Sequence, residues 1–162
     1  MRLRGGEPLP EGVTLPLAAR ERVLTWGRLD DGGYAAATDH GLRVSGDAQP
    51  AIHRWHEIEH ARWTDDAVLD VEPVDGAPVR YRFVEPRGVP AAVREQVTLS
   101  VPVSERHRLD ETHGVRIVAR RNPADGKVTW SALLDPGVDA DDPLVRERAE
   151  AILVAVRRRA GG

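Results

Sequence analysis

Short segments in which apolar and polar positions alternate dominate the first part of the chain. Residues 21–29 and Tyr34–Thr38 flank the turn sequence Asp-Asp-Gly-Gly at residues 30–33, and a short apolar segment at residues 42–44 follows a second turn. Glycine accepts the positive φ angles that tight hairpins require. The pattern therefore predicts three consecutive antiparallel strands.

Residues 52–63 fit two patterns at once. Ile52, Trp55, Glu59 and Arg62 recur at helical spacing, whereas the two tryptophans and Ile58 also suit a strand. A bend near Ile58 reconciles the two interpretations.

Two further strands are predicted after this stretch. Residues 67–71 precede the hairpin signal Asp75-Gly76, and residues 79–84 alternate apolar side chains with Arg80 and Arg82. This alternation is typical of a strand that is buried on one face.

The second half of the chain predicts two helices and a hairpin. One apolar stripe, Val93, Val97 and Val101, follows Pro90 at helical spacing, and Pro102 limits that helix. Residues 104–113 are polar and predict a loop, while residues 114–121 and 127–134 predict paired strands. A cap at Asp142 then opens a C-terminal helix with this apolar stripe: Val145, Ala149, Ile152 and Val156.

These elements predict an α+β fold, a mostly antiparallel β-barrel or sandwich with one inner helix and a closing C-terminal helix. The 162 residues suit a single domain, which we expect to span residues 15–160. Glycines and prolines in residues 1–14 predict a flexible leader.

Composition and charge narrow the functional classes. The chain has no cysteine and a formal net charge of −3, which excludes thiol chemistry and gives no global attraction to nucleic acid. No apolar run approaches the roughly 20 residues of a membrane span. We therefore expect a cytoplasmic protein with no cofactor, no nucleic-acid partner and no transmembrane segment.

The most suggestive motif is His56-Glu57-Ile58-Glu59-His60, which matches the His-Glu-x-x-His pattern of zinc proteases. His107 or His113 would then supply a third ligand. That chemistry requires a stable helix, whereas this stretch runs into a predicted strand. We therefore expect polar surface residues here and no metal, with a metal-dependent hydrolase as the alternative.

Two other clusters have simpler structural explanations. Asp139, Asp141 and Asp142 do not follow the spacing of a calcium-binding EF-hand loop, so a solvated loop leading to a helix cap is the simpler interpretation. The sequence Thr38-Asp39-His40 has the composition of a catalytic cluster, but these residues are also common in turns.

Arginines on the predicted strands form the candidate binding site. Arg80, Arg82 and Arg120, together with Arg116 and Arg121, are expected on the outer faces of strands. Guanidinium groups bind anionic groups and protein surfaces through planar, bidentate hydrogen bonding. Charged strand exteriors also prevent edge association, which is the alternative explanation.

The chain also resembles known proteins. Residues 22–26, residues 34–44 and Trp55-His56-Glu57-Ile58 resemble bacterial pleckstrin-homology-like domains, and the motifs of residues 93–143 resemble a small actinobacterial protein family. The resemblance implies a bent antiparallel sheet closed by a helix, and some such domains bind lipids or proteins. It implies no catalytic residue. We therefore expect a non-catalytic module with a protein partner, and an anionic ligand or lipid as a further alternative.

Overall fold

The structure is a computed structural model that describes residues 6–46 and 50–161. The chain divides into two compact units, residues 1–100 with 122–126, and residues 101–121 with 127–162. The single domain expected over residues 15–160 stays a prediction. Residues 1–5 of the predicted leader lie outside the described residues, as do residues 47–49.

The first unit is built on a seven-stranded antiparallel sheet. Its strands are β1 (Val23–Leu29), β2 (Tyr34–Thr38), β3 (Gly41–Ser45), β4 (Ala51–Arg54), β5 (Ile58–Thr64), β6 (Val68–Pro73) and β7 (Val79–Glu85). They are arranged in the order β4-β3-β2-β1-β7-β6-β5. The predicted α+β class and antiparallel pairing are therefore confirmed.

The two edge strands of this sheet are neighbours in the chain. Only a 3-10 helix, Trp55–Glu57, separates β4 from β5, so the predicted bend near Ile58 is present. Among the described residues β4 pairs with β3 alone and β5 with β6 alone. Because the sheet is not closed, the barrel and its pleckstrin-homology-like form stay predictions.

Helix α1 (Val89–Leu99) covers the core of the first unit. Its Val89 and Val93 are buried in one cluster with Trp55 and Ile58. Val101, which we expected on the same helical stripe, lies beyond the end of α1. A residue that precedes proline avoids helical backbone angles, and Pro102 follows directly.

The second unit combines a three-stranded antiparallel sheet with one helix. Its elements are β8 (Val103–Arg108), β9 (Gly114–Arg121), β10 (Val128–Leu134) and α2 (Pro143–Arg159). The order β10-β9-β8 makes β8 an edge strand. The predicted loop over residues 104–113 was therefore wrong for its first half, because a charged edge strand shows no apolar alternation.

Helix α2 begins and packs as its sequence predicts. The Asp142 side chain accepts a hydrogen bond from the backbone N–H of Leu144 at 3.0 Å. Ala149 and Val156 are buried in the core of this unit, and Ile152 is partly buried against it. In the described part of the chain, no helix is both long and apolar enough to cross a membrane.

Candidate interaction surface

The outer face of β5, β6 and β7 carries several exposed arginines of the first unit. Tyr81 and Phe83 of β7 point to the core, so Arg80, Arg82 and Val84 lie on the opposite face. This is the arrangement that the alternation of residues 79–84 predicts.

A cross-strand row of three charged residues lies at the centre of this face. The backbone register places Asp70 of β6 opposite both Arg62 of β5 and Arg80 of β7. Asp70 Oδ1 lies 2.7 Å from Arg80 Nε, and Asp70 Oδ2 lies 3.6 Å from Arg62 Nη2. Both arginine side chains are 77% exposed, whereas that of Asp70 is 22% exposed. We call these residues the arginine row.

The arginine row borders a shallow depression of about 650 Å³. His60 and Glu72 lie next to the row and also line this depression. On the other side of the row, Arg82 Nε lies 3.8 Å from Asp30 Oδ2, and Val84 is exposed. The face is therefore mixed in charge, with an apolar side chain at its margin.

The three predicted binding arginines belong to two different units. Arg80 and Arg82 share one face of β7, whereas Arg120 lies on β9 of the second unit. The sequence pattern does not mark Arg62 or Asp70 as binding residues. Their opposite charges on consecutive predicted strands were the available signal, but only the register shows that they meet.

The His-Glu-x-x-His stretch does not form a helix in this structure. His56 and Glu57 lie in the three-residue 3-10 helix, and His60 lies in β5. Residues at i and i+4 are about 6 Å apart on an α-helix, whereas an extended chain advances about 3.3 Å per residue. The His56 side chain is largely buried and that of His60 is 68% exposed. This backbone does not present the two histidines as the zinc-protease motif requires.

The other candidate metal ligands have structural contacts. His107 Nε2 lies 3.1 Å from Glu105, and His113 is part of a turn stabilised by Asp110. Asp139 accepts a hydrogen bond from the Asp141 N–H. Among residues 6–46 and 50–161, no three His, Asp or Glu side chains are grouped so that they could hold a metal ion.

A buried polar network surrounds Thr38. Its hydroxyl group donates to Glu21 Oε1 at 2.7 Å and accepts from the N–H groups of His40 and Gly41. The Glu21 carboxylate also receives two hydrogen bonds of 2.7 Å from Arg43. The Thr38 hydroxyl is therefore buried and already hydrogen-bonded, and it links the end of β2 to the turn at His40 and Gly41.

Hydrogen bonding also sets the ionisation of Glu21. Burial by itself raises the pKa of this carboxyl group, but the hydrogen bonds from Arg43, Thr38 and the Ala18 N–H outweigh burial and lower the pKa to about 2. Glu21 is therefore ionised at neutral pH and ties the segment before β1 to β2 and β3.

Comparisons with known proteins assign this chain to no family. No family model, curated protein or solved structure matches the chain. The resemblance to pleckstrin-homology-like domains stays a prediction.

Proposed function

We propose that this chain is a non-catalytic protein-interaction module that binds an acidic segment of a partner protein across the outer face of β5, β6 and β7. The observation that carries the proposal is the arginine row, in which Asp70 lies between two highly exposed arginines. Arginine is enriched among the residues that dominate binding energy at protein interfaces.

Asp70 prepares both guanidinium groups for binding. A guanidinium has five N–H donors, and the contacts with one carboxylate leave most of those of Arg62 and Arg80 accessible to a partner. Holding the arginine side chains in place reduces the conformational entropy lost when a partner binds. The arginine row therefore offers a partly ordered donor surface for carboxylates.

The composition of the face favours a protein partner over a phosphate group or a lipid surface. Asp70 and Glu72 disfavour concentrated negative charge at the depression, and exposed Val84 offers an apolar contact. The net charge of −3 further opposes attraction to a uniformly anionic membrane. A partner that presents separated carboxylates next to apolar side chains fits this surface best.

The test compares two triple variants of equal net charge in pull-downs from native lysate, quantified by mass spectrometry. The first variant replaces Arg62, Arg80 and Arg82 with alanine. The control replaces the exposed arginines Arg22, Arg54 and Arg94 of the same unit. We expect a partner that is enriched by the wild type to be lost from the first variant and retained by the control.

Two results would contradict the proposal. Equal recovery of the partner by both triple variants would show that the arginine row is not the binding surface. Binding to phosphatidylserine vesicles that depends on Arg62, Arg80 and Arg82 would favour a lipid ligand instead. Arg120→Ala, measured separately, tests the predicted contribution of the second unit.

A further inference from the structure

Residues 6–10 lie across the exposed side of Trp26 in the first unit. The indole Nε1 of Trp26 donates a hydrogen bond to the carbonyl oxygen of Pro8 at 3.0 Å. Leu9 packs against a small cluster of buried residues: Leu15, Val23 and Ala36. Pro8 and Pro10 each restrict their own φ angle and bias the preceding residue to an extended conformation. A short extended segment thus contacts the protein through a carbonyl group and one apolar side chain.

An aromatic and a cationic side chain contact the Trp26 ring. The rings of Trp26 and Tyr34 meet edge to face with their centroids 5.9 Å apart. The Arg87 guanidinium lies over the Trp26 ring at 3.7 Å from its centre, and Arg87 Nη2 lies 3.1 Å from a carboxylate oxygen of Glu7. Glu7, the acidic residue before Pro8, is therefore paired with the Arg87 guanidinium, which stacks on the Trp26 ring. We call Trp26, Tyr34 and Arg87 the Trp26 groove.

The backbones of the segment and the sheet also fit closely. A side chain at Gly6 would collide with the backbone carbonyl of Val23 in β1, so glycine is required at this contact. Arg87 has a φ angle of +49°, a left-handed conformation that non-glycine residues rarely adopt. Both features point to a specific contact.

These contacts have the chemistry by which proteins recognise proline-rich peptides. Aromatic side chains form the groove, the peptide arrives already extended, and proline limits the entropy that it loses on binding. The indole N–H supplies the polar contact at a peptide carbonyl. The segment that occupies the groove combines these features with one acidic residue, in the sequence Gly-Glu-Pro-Leu-Pro at residues 6–10.

We propose that the Trp26 groove is a binding site for an extended, proline-containing peptide with an acidic residue directly before the proline, and that residues 6–10 occupy it as an intramolecular ligand. A partner peptide must displace this segment. The displacement is feasible because the side chains of the Arg87–Glu7 pair are partly open to solvent and pairs near the surface contribute little. Tethering nevertheless gives the segment an effective concentration in the millimolar range. This site is independent of the arginine row.

The test uses the full-length chain and a fluorescein-labelled peptide, Gly-Glu-Pro-Leu-Pro-Glu-Gly, in fluorescence anisotropy titrations. A release variant, Glu7→Ala with Pro8→Ala and Leu9→Ala, frees the groove. We expect the release variant to bind the peptide at least tenfold more tightly than the wild type. Adding Trp26→Phe, which keeps a ring but removes the indole N–H, should reverse most of that gain. Glu11→Ala, a substitution directly after residues 6–10 and outside these contacts, should bind like the wild type.

Two control peptides and one NMR measurement complete the test. A peptide with both prolines replaced by alanine should bind at least tenfold more weakly. A peptide with Gln in place of the first Glu should bind only about two- to fivefold more weakly, because it loses the weak ion pair with Arg87. In the wild type, excess peptide should shift the NMR resonance of the Trp26 indole N–H, which tests the site without the release variant. If that resonance does not move and the release variant binds no more tightly than the wild type, the proposal is wrong.

Discussion

The Nε2 atom of His53 lies 2.5 Å from the hydroxyl oxygen of Tyr81, and their rings meet edge to face. His53 belongs to the edge strand β4 and Tyr81 to β7, with β3, β2 and β1 between them in the sheet. The sheet therefore curls far enough to bring side chains of these separated strands together. The sheet is therefore strongly curled, although its edge strands do not pair with each other in the described part of the chain.

The His53–Tyr81 contact predicts a dependence of stability on pH. Burial lowers the pKa of His53, and Glu57 offsets part of that effect. In the unfolded chain the pKa of histidine is about 6.5. Below that pH, His53 therefore binds a proton more readily in the unfolded state than in the folded state. The free energy of unfolding should therefore decrease as the pH falls below about 6.5. Urea denaturation between pH 7.5 and 5 measures this slope.

The slope should depend on His53 and not on exposed histidines. His53→Gln should remove part of the slope, whereas His60→Gln, at an exposed position of β5, should leave it unchanged. If both variants kept the wild-type slope, His53 would not be its source.

The buried Glu21–Arg43 pair should contribute far more to stability than an exposed pair. Glu21→Ala leaves the largely buried Arg43 guanidinium without its carboxylate and should cost about 3–5 kcal/mol. Glu85→Ala breaks the exposed Arg28–Glu85 pair and should cost less than about 1 kcal/mol. Urea unfolding of the two variants at pH 7 gives the comparison, and similar costs would contradict it.

The same carboxylate predicts how the protein responds to acid. The pKa of Glu21 is about 2 in the folded state and near 4.5 when unperturbed. Its contribution is therefore fully present above about pH 4.5 and is lost as the pH falls through about 2. Acid titrations followed by circular dichroism should show a loss of wild-type stability in this range that Glu21→Gln lacks.

Helix α2 should depend on Val156 more than on Ile152. Val156 is buried and Ile152 only partly so, although both belong to the apolar stripe that the sequence predicts. Val156→Asp places a charge in the core of the second unit and should abolish its cooperative unfolding. Val154→Asp, two residues away on an exposed face, is the matched control. A Val156→Asp variant with an unchanged melting temperature would refute this packing.

Zinc should not stabilise the protein. A metal that binds the folded state raises the melting temperature by mass action, but the 3-10 helix and β5 hold His56 and His60 on different backbone types. Thermal denaturation with and without excess zinc measures this, with His60→Ala as the control. A rise in melting temperature that His60→Ala removes would restore the metal-dependent hydrolase as a candidate.

Local patterns predicted the elements that carry their own apolar alternation or cap. The bounds of β2 and the start of α2 at Asp142 follow directly from turn glycines and from a cap before proline. Strand β8 was missed because Val103 is its only apolar residue, and its pairing with β9 stabilises it. Such an edge strand is stabilised by pairing with its neighbour, and the periodicity of its own sequence gives no information about that pairing.

The candidate surfaces were predicted less well than the strands. The outward direction of Arg80 and Arg82 follows from strand alternation, but the position of Asp70 between two arginines depends on the register of three strands. Trp26 and Arg87 are far apart in sequence, and their contact depends on how β1 and the segment before α1 are placed. Long-range register and packing therefore decide where the charged and aromatic residues meet.

The pairing of β1 with β7 has a consequence for folding kinetics. Every other pairing in the seven-stranded sheet joins strands that follow one another in the chain, whereas Leu29 pairs with Phe83 across the whole intervening sequence. Contacts between distant residues require the closure of a long loop and form slowly. We expect β1–β4 and β5–β7 to assemble first as separate meanders, so that the joining of β1 to β7 limits the folding rate of the first unit.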